Sequence, residues 1–259
     1  MSQKIENMRN QIAAVVIAFL VWPGIASAQT FVTNTVFFSP NSVVPDGDPN
    51  GLALGANMTD INGGIASLTV TLNISGGDNS DLFAYLTGPT GNCAILLNRV
   101  GMGSANPSGY DDSGFDITLS DSATYNIHNY QSGAYTLNDS GQLTGDWIPD
   151  GRNIDPQSAA SSFDSVSITA TFESFLGTDP NGQWTLYFAD LSGGGQSIVQ
   201  SSELNITTTP EPCEIALFGF GGILFFAWRR KGFSSCQRQS VPSKYRMLFS
   251  TRLSPCHIP

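Results

Sequence analysis

An all-β body is predicted by three observations. Short apolar segments alternate with a period of two, Gly/Asn/Asp/Pro clusters punctuate them closely, and no stretch between the termini carries a sustained helical period. Many short strands at such spacing describe an antiparallel sandwich or jelly roll. The chain has 259 residues, enough for one β-sandwich of the larger kind with a sizeable core.

Taken in order, Thr33–Phe38 is expected to open a sheet. Ser67–Ile74 is the clearest strand, because Leu68, Val70, Leu72 and Ile74 point one way with Thr and Asn between them. Leu82–Leu86, Ala94–Leu97 and Phe115–Leu119 follow as shorter candidates. Val166, Ile168, Ala170 and Phe172 alternate again, as do Trp184, Leu186 and Phe188, and Leu204–Ile206 closes the series. Trp184 should fill the space between sheets, where its indole N–H needs an acceptor.

Turns are expected at Pro45-Asp46-Gly47-Asp48, Asn62-Gly63-Gly64, Gly76-Gly77-Asp78-Asn79, Gly88-Pro89-Thr90-Gly91, Pro180-Asn181-Gly182 and Gly193-Gly194-Gly195. Asp190, at a strand end, is placed to accept N–H bonds from the last of these. Ser120–Asp164 is long, polar and poor in alternation, so an irregular excursion or a pair of edge strands is expected there.

Charge is unevenly distributed. Charged residues are only 12% of the chain, against roughly 25% in ordinary soluble domains. Between Gln29 and Pro210, Arg99 and Arg152 face eighteen carboxylates, a balance of −16 with no lysine. Such a body repels nucleic acid and anionic lipid, whose recognition depends on Lys and Arg. Of Cys93, Cys213, Cys236 and Cys256, only Cys93 lies in the body, which excludes a disulfide within it. Cys93 precedes Ala94-Ile95-Leu96-Leu97 and reads as a small buried hydrophobe.

The two ends read as addresses. Lys4 and Arg9 precede an apolar run from Ile12 to Trp22, and Ala26-Ser27-Ala28 follows. This is the pattern of a helical secretory signal peptide over residues 1–28, with Ala26 and Ala28 filling the small pockets of the peptidase. At the other end Pro210-Glu211-Pro212 interrupts any regular structure. An apolar segment over 213–228 then ends in Arg229-Arg230-Lys231, which would stop it at a cytoplasmic face. Ile215–Trp228 spans about 21 Å as a helix, short of a hydrocarbon core of about 30 Å. A short, transient transmembrane helix fits that length better than a permanent anchor.

That order of parts, over Pro210–Lys231, resembles the PEP-CTERM sorting signal. The resemblance implies recognition by an exosortase-type membrane protease, removal of the tail, and transfer from the inner membrane to the cell envelope or an exopolysaccharide-rich matrix. The basic tail Gly232–Pro259 departs from the family pattern and is expected to be disordered, with no assigned role.

The body, residues 29–209, resembles the P domain (P/Homo B) of subtilisin-like proprotein convertases. The match runs through Val44-Pro45-Asp46, Ile65–Ile74, Ser80-Asp81-Leu82-Phe83-Ala84-Tyr85-Leu86-Thr87-Gly88-Pro89-Thr90-Gly91 and Ala94–Leu97. It continues at Phe175-Leu176-Gly177 and Asn181–Asp190, although Ser202-Glu203 stands where the family's last strand usually carries a Trp. The resemblance implies a jelly-roll-like sandwich with a supporting, non-catalytic role.

Motifs for catalysis are sparse. The body contains one histidine, His128, and no Gly-x-Ser-x-Gly, phosphate-loop or dinucleotide fingerprint. Asp111-Asp112 offers paired carboxylates without a feature that would raise a pKa. The rival expectation is a carboxylate- or metal-dependent hydrolase acting on extracellular polymers. Asp46-x-Asp48-x-Asn50-Gly51 copies half of a calcium loop, but Asn57 stands where the bidentate Glu belongs, so an ordinary turn is favoured. A calcium site assembled from Asp81, Asp112, Asp116 and Asp190 is the other metal expectation. Tyr110, Tyr125, Tyr130 and Tyr135, where exposed, would offer platforms for a polysaccharide, although ordinary loop packing is the favoured reading for them.

Overall fold

A computed structural model describes residues 31–209. The signal peptide with Ala26 and Ala28, the sorting signal from Pro210 with its 213–228 segment, and the tail over 232–259 lie outside the described residues.

The described chain is mostly strand, arranged as two sheets packed in a sandwich. Ten strands occur in order: β1 (Val32–Phe37), β2 (Ser42–Val43), β3 (Asp48–Met58), β4 (Ile65–Ser75), β5 (Leu82–Thr87), β6 (Cys93–Asn98), β7 (Gly114–Ser120), β8 (Leu143–Trp147), β9 (Gly182–Asp190) and β10 (Ile198–Thr208). One sheet runs β1-β10-β4-β7-β8, with β2 also paired to β10; the other runs β3-β9-β5-β6. Among the described residues no helix is long and apolar enough to cross a membrane.

Alternation explains the packing. On β4, Leu68, Val70, Leu72 and Ile74 are buried while Thr69, Thr71 and Asn73 are not. On β5 and β9, Leu82, Ala84, Leu86, Trp184, Leu186 and Phe188 face them across the sandwich. Burying each Leu or Ile side chain contributes about 1.5–3 kcal/mol. Trp184 is fully buried and donates its indole N–H to the Pro180 carbonyl at 2.9 Å, as its position requires. On β10 the register shifts between Val199 and Ser201. This bulge lets Val199 and Ser202, three residues apart, both point inward.

Three expectations are corrected. The sandwich is not wholly antiparallel: β8 pairs with β7 in parallel, from Phe115↔Leu143 to Leu119↔Trp147. The long polar excursion before β8 supplies the crossover that a parallel partner needs. Val166–Phe172 is not a strand. Ile168 makes only an isolated bridge to Arg152, and Phe172 is buried within a 3-10 turn, Phe172–Phe175. The segment instead straps the edge of β6: Ile95 N–H donates to Ala170, while Asp150 and Gly151 donate to Leu96 and Ile95. A covered edge cannot recruit a foreign strand. Cys93, finally, is exposed, because it is the first residue of β6 at the mouth of the Gly88–Gly91 turn, and burial begins at Ala94.

The chain enters and leaves at one end. Val32 pairs with Thr208, and Thr209 N–H donates to Gly64. Gly63 has a φ of +88°, and its Cα lies against the Thr209 carbonyl where a side chain would not fit. β10 starts at the opposite end, where Val44 N–H donates to Ser197 and the Gly193–Gly195 turn meets Asp46. That distal end holds most of the unexplained polar chemistry.

Candidate functional site

Three elements converge at the distal corner: the turn before β3, the 3-10 turn Asn79–Asp81, and the end of β9. Gly47 has a φ of +64°, and a side chain added there would come up against Gly193. Asp46 accepts the Gly194 N–H at 3.2 Å, a bond that Asp190 was expected to make. Asp190 instead accepts the Ser192 N–H at 3.3 Å and leaves its Oδ2 buried without a partner. Burial first, then the neighbouring Asp81 and Asp46 carboxylates, push its pKa up to about 6. Burial also raises Asp81, against the opposing effects of Ser192 and Arg99. Arg99 stands in the left-handed region at φ 49° and donates Nε to the Ser80 carbonyl at 3.0 Å. Its Nη2 reaches Ser192 Oγ at 3.2 Å and Asp81 at 3.7 Å.

The four carboxylates expected to share a calcium ion are not brought together. Asp81 and Asp190 are neighbours, but Asp112 accepts from Tyr130 Oη at 2.8 Å and Gln131 Nε2 at 2.7 Å, and Asp116 faces Asn73 on the outer sheet surface. Asp81 already faces a guanidinium. Among the described residues no three acidic, His or Cys side chains are grouped closely enough to hold a metal ion. Asp48 closes an Asx turn, accepting the Asn50 N–H and Nδ2 at 2.9 Å each, so the half calcium loop is a turn.

His128 is not a solitary loop residue. Its Nδ1 lies 2.7 Å from Asp150 Oδ2 and its Nε2 lies 3.0 Å from the Met102 carbonyl. Asp150, fully buried, also accepts from Arg152 Nη1 at 3.2 Å and Asn98 N–H at 3.3 Å. Phe163 stacks on the imidazole at 5.9 Å. A histidine oriented by an aspartate copies two parts of a catalytic triad, but a carbonyl occupies the place of the nucleophile. A carbonyl only accepts, so this contact fits an Nε2–H donor. The cluster ties the polar excursion to β6. Sequence spacing gave no signal for it, because Asp150 and His128 meet only through the fold.

The four tyrosines divide between packed and exposed positions. Tyr130 is buried, donates to Asp112 and accepts from Asn79 Nδ2 at 3.2 Å; desolvation drives its pKa far upward. Tyr110 is partly covered by an edge contact with Tyr130 at 4.7 Å. Tyr125 and Tyr135 are exposed, and Tyr125 and Trp147 line a shallow hollow of about 360 Å³.

An aromatic cluster that the sequence reading passed over lies on the outer face of the four-stranded sheet. Phe83 and Tyr85 alternate with buried Leu82, Ala84 and Leu86, and Tyr187 stands opposite Tyr85. The two tyrosine rings stack at 4.7 Å with 19° between planes. With Pro49, Asn50 and Asp155–Gln157 they bound an open groove of about 430 Å³. The period-two pattern of β5 could have flagged it, since Phe and Tyr occupy the solvent side.

No family model matches the chain, and no curated protein matches it. Among solved structures it is similar to the serine protease of Aeromonas sobria, alone and in complex with the chaperone ORF2. Both show 11% identity and a TM-score of 0.37, over 69% and 70% of this chain respectively and 27% of the protease chain. The chain therefore spans about a quarter of the length of those structures. A likeness this distant carries no argument about function.

Proposed function

We propose that the chain is an exported, non-catalytic, jelly-roll-like β-sandwich of the cell envelope or extracellular matrix. On this reading a signal peptide carries it out. An exosortase-type protease then sorts it through Pro210-Glu211-Pro212, the 213–228 segment and Arg229-Arg230-Lys231, after a transient stay in the inner membrane. Exopolysaccharide is the partner this destination offers. The observation that carries the reading is the tripartite tail joined directly to the last strand of a self-contained sandwich, since β10 ends at Thr208 and Pro210 follows almost at once. The non-catalytic part is supported by His128, whose ring nitrogens are both engaged, one with Asp150 and one with a backbone carbonyl.

Replacing Pro210-Glu211-Pro212 by alanines is expected to leave the tail attached and the protein in the membrane, read as a larger species on a gel of the membrane fraction. Normal tail removal in that variant would refute the sorting assignment. The rival reading, a hydrolase using carboxylates, gains its one structural foothold from the raised pKa of Asp190. Turnover of any extracellular polymer that Asp190→Asn abolishes would replace the first reading by the second.

A further inference from the structure

The solvent face of a one-sided sheet ordinarily carries polar residues. The distal half of β5 and β9 does not. Phe83, Tyr85 and Tyr187 are all partly exposed there, with Phe83 5.8 Å from Tyr85 and 6.5 Å from Tyr187, centroid to centroid. The core does not need these rings, because Leu82, Ala84, Leu86 and Leu186 already fill the inner face. Three partly exposed rings in mutual contact at the floor of a groove offer stacking surface to a ligand. Tyr187 Oη donates to the Pro49 carbonyl at 2.6 Å, which fixes its ring in place before any ligand arrives. Burial raises both phenols above their ordinary pKa, so both remain neutral hydroxyls.

The walls select the chemistry. Asn50, Asp155 and Gln157 stand exposed around the floor, offering two amides and a carboxylate. No Lys, Arg or His lines the groove, and the surrounding body carries −16. Phosphates, sulfates and uronates are therefore repelled. A fitting ligand is uncharged, with apolar faces and hydrogen-bonding edges in the same unit. A pyranose ring meets that description: its C–H face packs on an aromatic ring while its hydroxyls reach amides and carboxylates at the rim. The groove's volume lies within the range of ligand sites, roughly 300–1,000 Å³. It is open, so a polymer need not end in it.

We propose that this groove binds a neutral glycan chain, with Tyr85 and Tyr187 as the stacking platform and Asn50, Asp155 and Gln157 as the hydrogen-bonding rim. The assignment takes from the matrix-protein reading only the source of the glycan. Its geometry stands apart from the sorting signal.

The test is affinity gel electrophoresis of the full chain in gels holding xyloglucan, galactomannan or, as polyanion, alginate. Variants Tyr85→Ala, Tyr187→Ala and Tyr125→Ala are run beside it, each checked for an unchanged circular dichroism spectrum. Retention by at least one neutral polymer is expected, weakened at least tenfold in Tyr85→Ala and Tyr187→Ala and unchanged in Tyr125→Ala. Tyr85→Phe is expected to keep most of the retention, since the stacking face survives. No retention by either neutral polymer, retention indifferent to Tyr85 and Tyr187, or preference for alginate would each overturn the proposal. So would a dimer on light scattering that Tyr85→Ala dissociates without any glycan retention, which would give the groove to a second copy. A chain that is sorted normally but binds no glycan fails here alone. A chain that binds glycan yet keeps its tail in place fails the sorting reading alone.

Discussion

Asp190→Asn is expected to stabilise the protein at neutral pH and to flatten its pH dependence. Folding moves the Asp190 carboxyl from an ordinary 3.8 to about 6, chiefly through burial and then through Asp81 and Asp46. The folded state thus holds the proton more tightly than the unfolded state. Between about pH 4 and pH 6 folding takes up a proton, so stability falls as pH rises across that window and levels off above it. At about 1.4 kcal/mol per pH unit the full effect would be about 3 kcal/mol. The carboxylate lies just beneath a surface opened by exposed Asp46, and water screens part of the repulsion, which leaves about 1–2 kcal/mol. Asparagine keeps the shape, still accepts from Ser192, and removes the buried charge. Urea unfolding from pH 4 to pH 7, followed by tryptophan fluorescence from buried Trp184, measures both profiles. Parallel slopes in wild type and variant, or a loss of stability in the variant at pH 7, would refute the reasoning.

His128→Ala removes one of the partners of fully buried Asp150, which keeps Arg152 and the Asn98 N–H, and should cost about 1–3 kcal/mol by the same unfolding assay. Gly51→Ala should destabilise by at least about 2 kcal/mol, because φ is +55° and the added methyl would meet the Phe188 carbonyl and the Tyr187 ring; a neutral melt would show that β3 yields there. Trp184→Ala opens the centre of the sandwich and should cost about 3–5 kcal/mol, read from the urea midpoint. Calcium-supplemented and chelator-treated samples should melt together, since among the described residues no three acidic, His or Cys side chains are grouped closely enough to hold the ion. A rise of several degrees with calcium would mean that Asp46, Asp81 and Asp190 rearrange around the ion.

Strands whose apolar residues keep strict alternation were legible in the sequence. β4, β5 and β9 fall within a few residues of their expected bounds, and Trp184 has the burial and the bonded indole that its position implied. β3 was missed although Leu52, Leu54, Ala56 and Met58 alternate. Gly51, Gly55 and two asparagines lower its propensity, and its stability comes from pairing with β9. Val166–Phe172 failed in the opposite sense: the alternation is present, but no strand lies beside it except the edge it straps. Of the candidate site, Asp81 and Asp190 could be chosen from sequence because both sit at strand ends. Asp46 meets Asp190 across about 140 residues of chain, a closeness no local pattern encodes. Tyr110 and Tyr130 lie among polar residues in the sequence, which gives no sign of their partner, yet they pack on each other beneath the excursion.

The placement of β10 also governs how the molecule would bear load. It is hydrogen-bonded on one side to β1 and on the other to β4, and its C-terminal end is the one from which the tail departs. A pull on that end, resisted by β1 and β4, would strain these ladders lengthwise. Every rung then shares the force at once, whereas peeling from an edge would break them singly. Eleven residues at about 3.3 Å each set roughly 35 Å between the point of traction and the far corner. Suspended this way, the sandwich would act as a tensile link whose grip is sheared rather than unzipped.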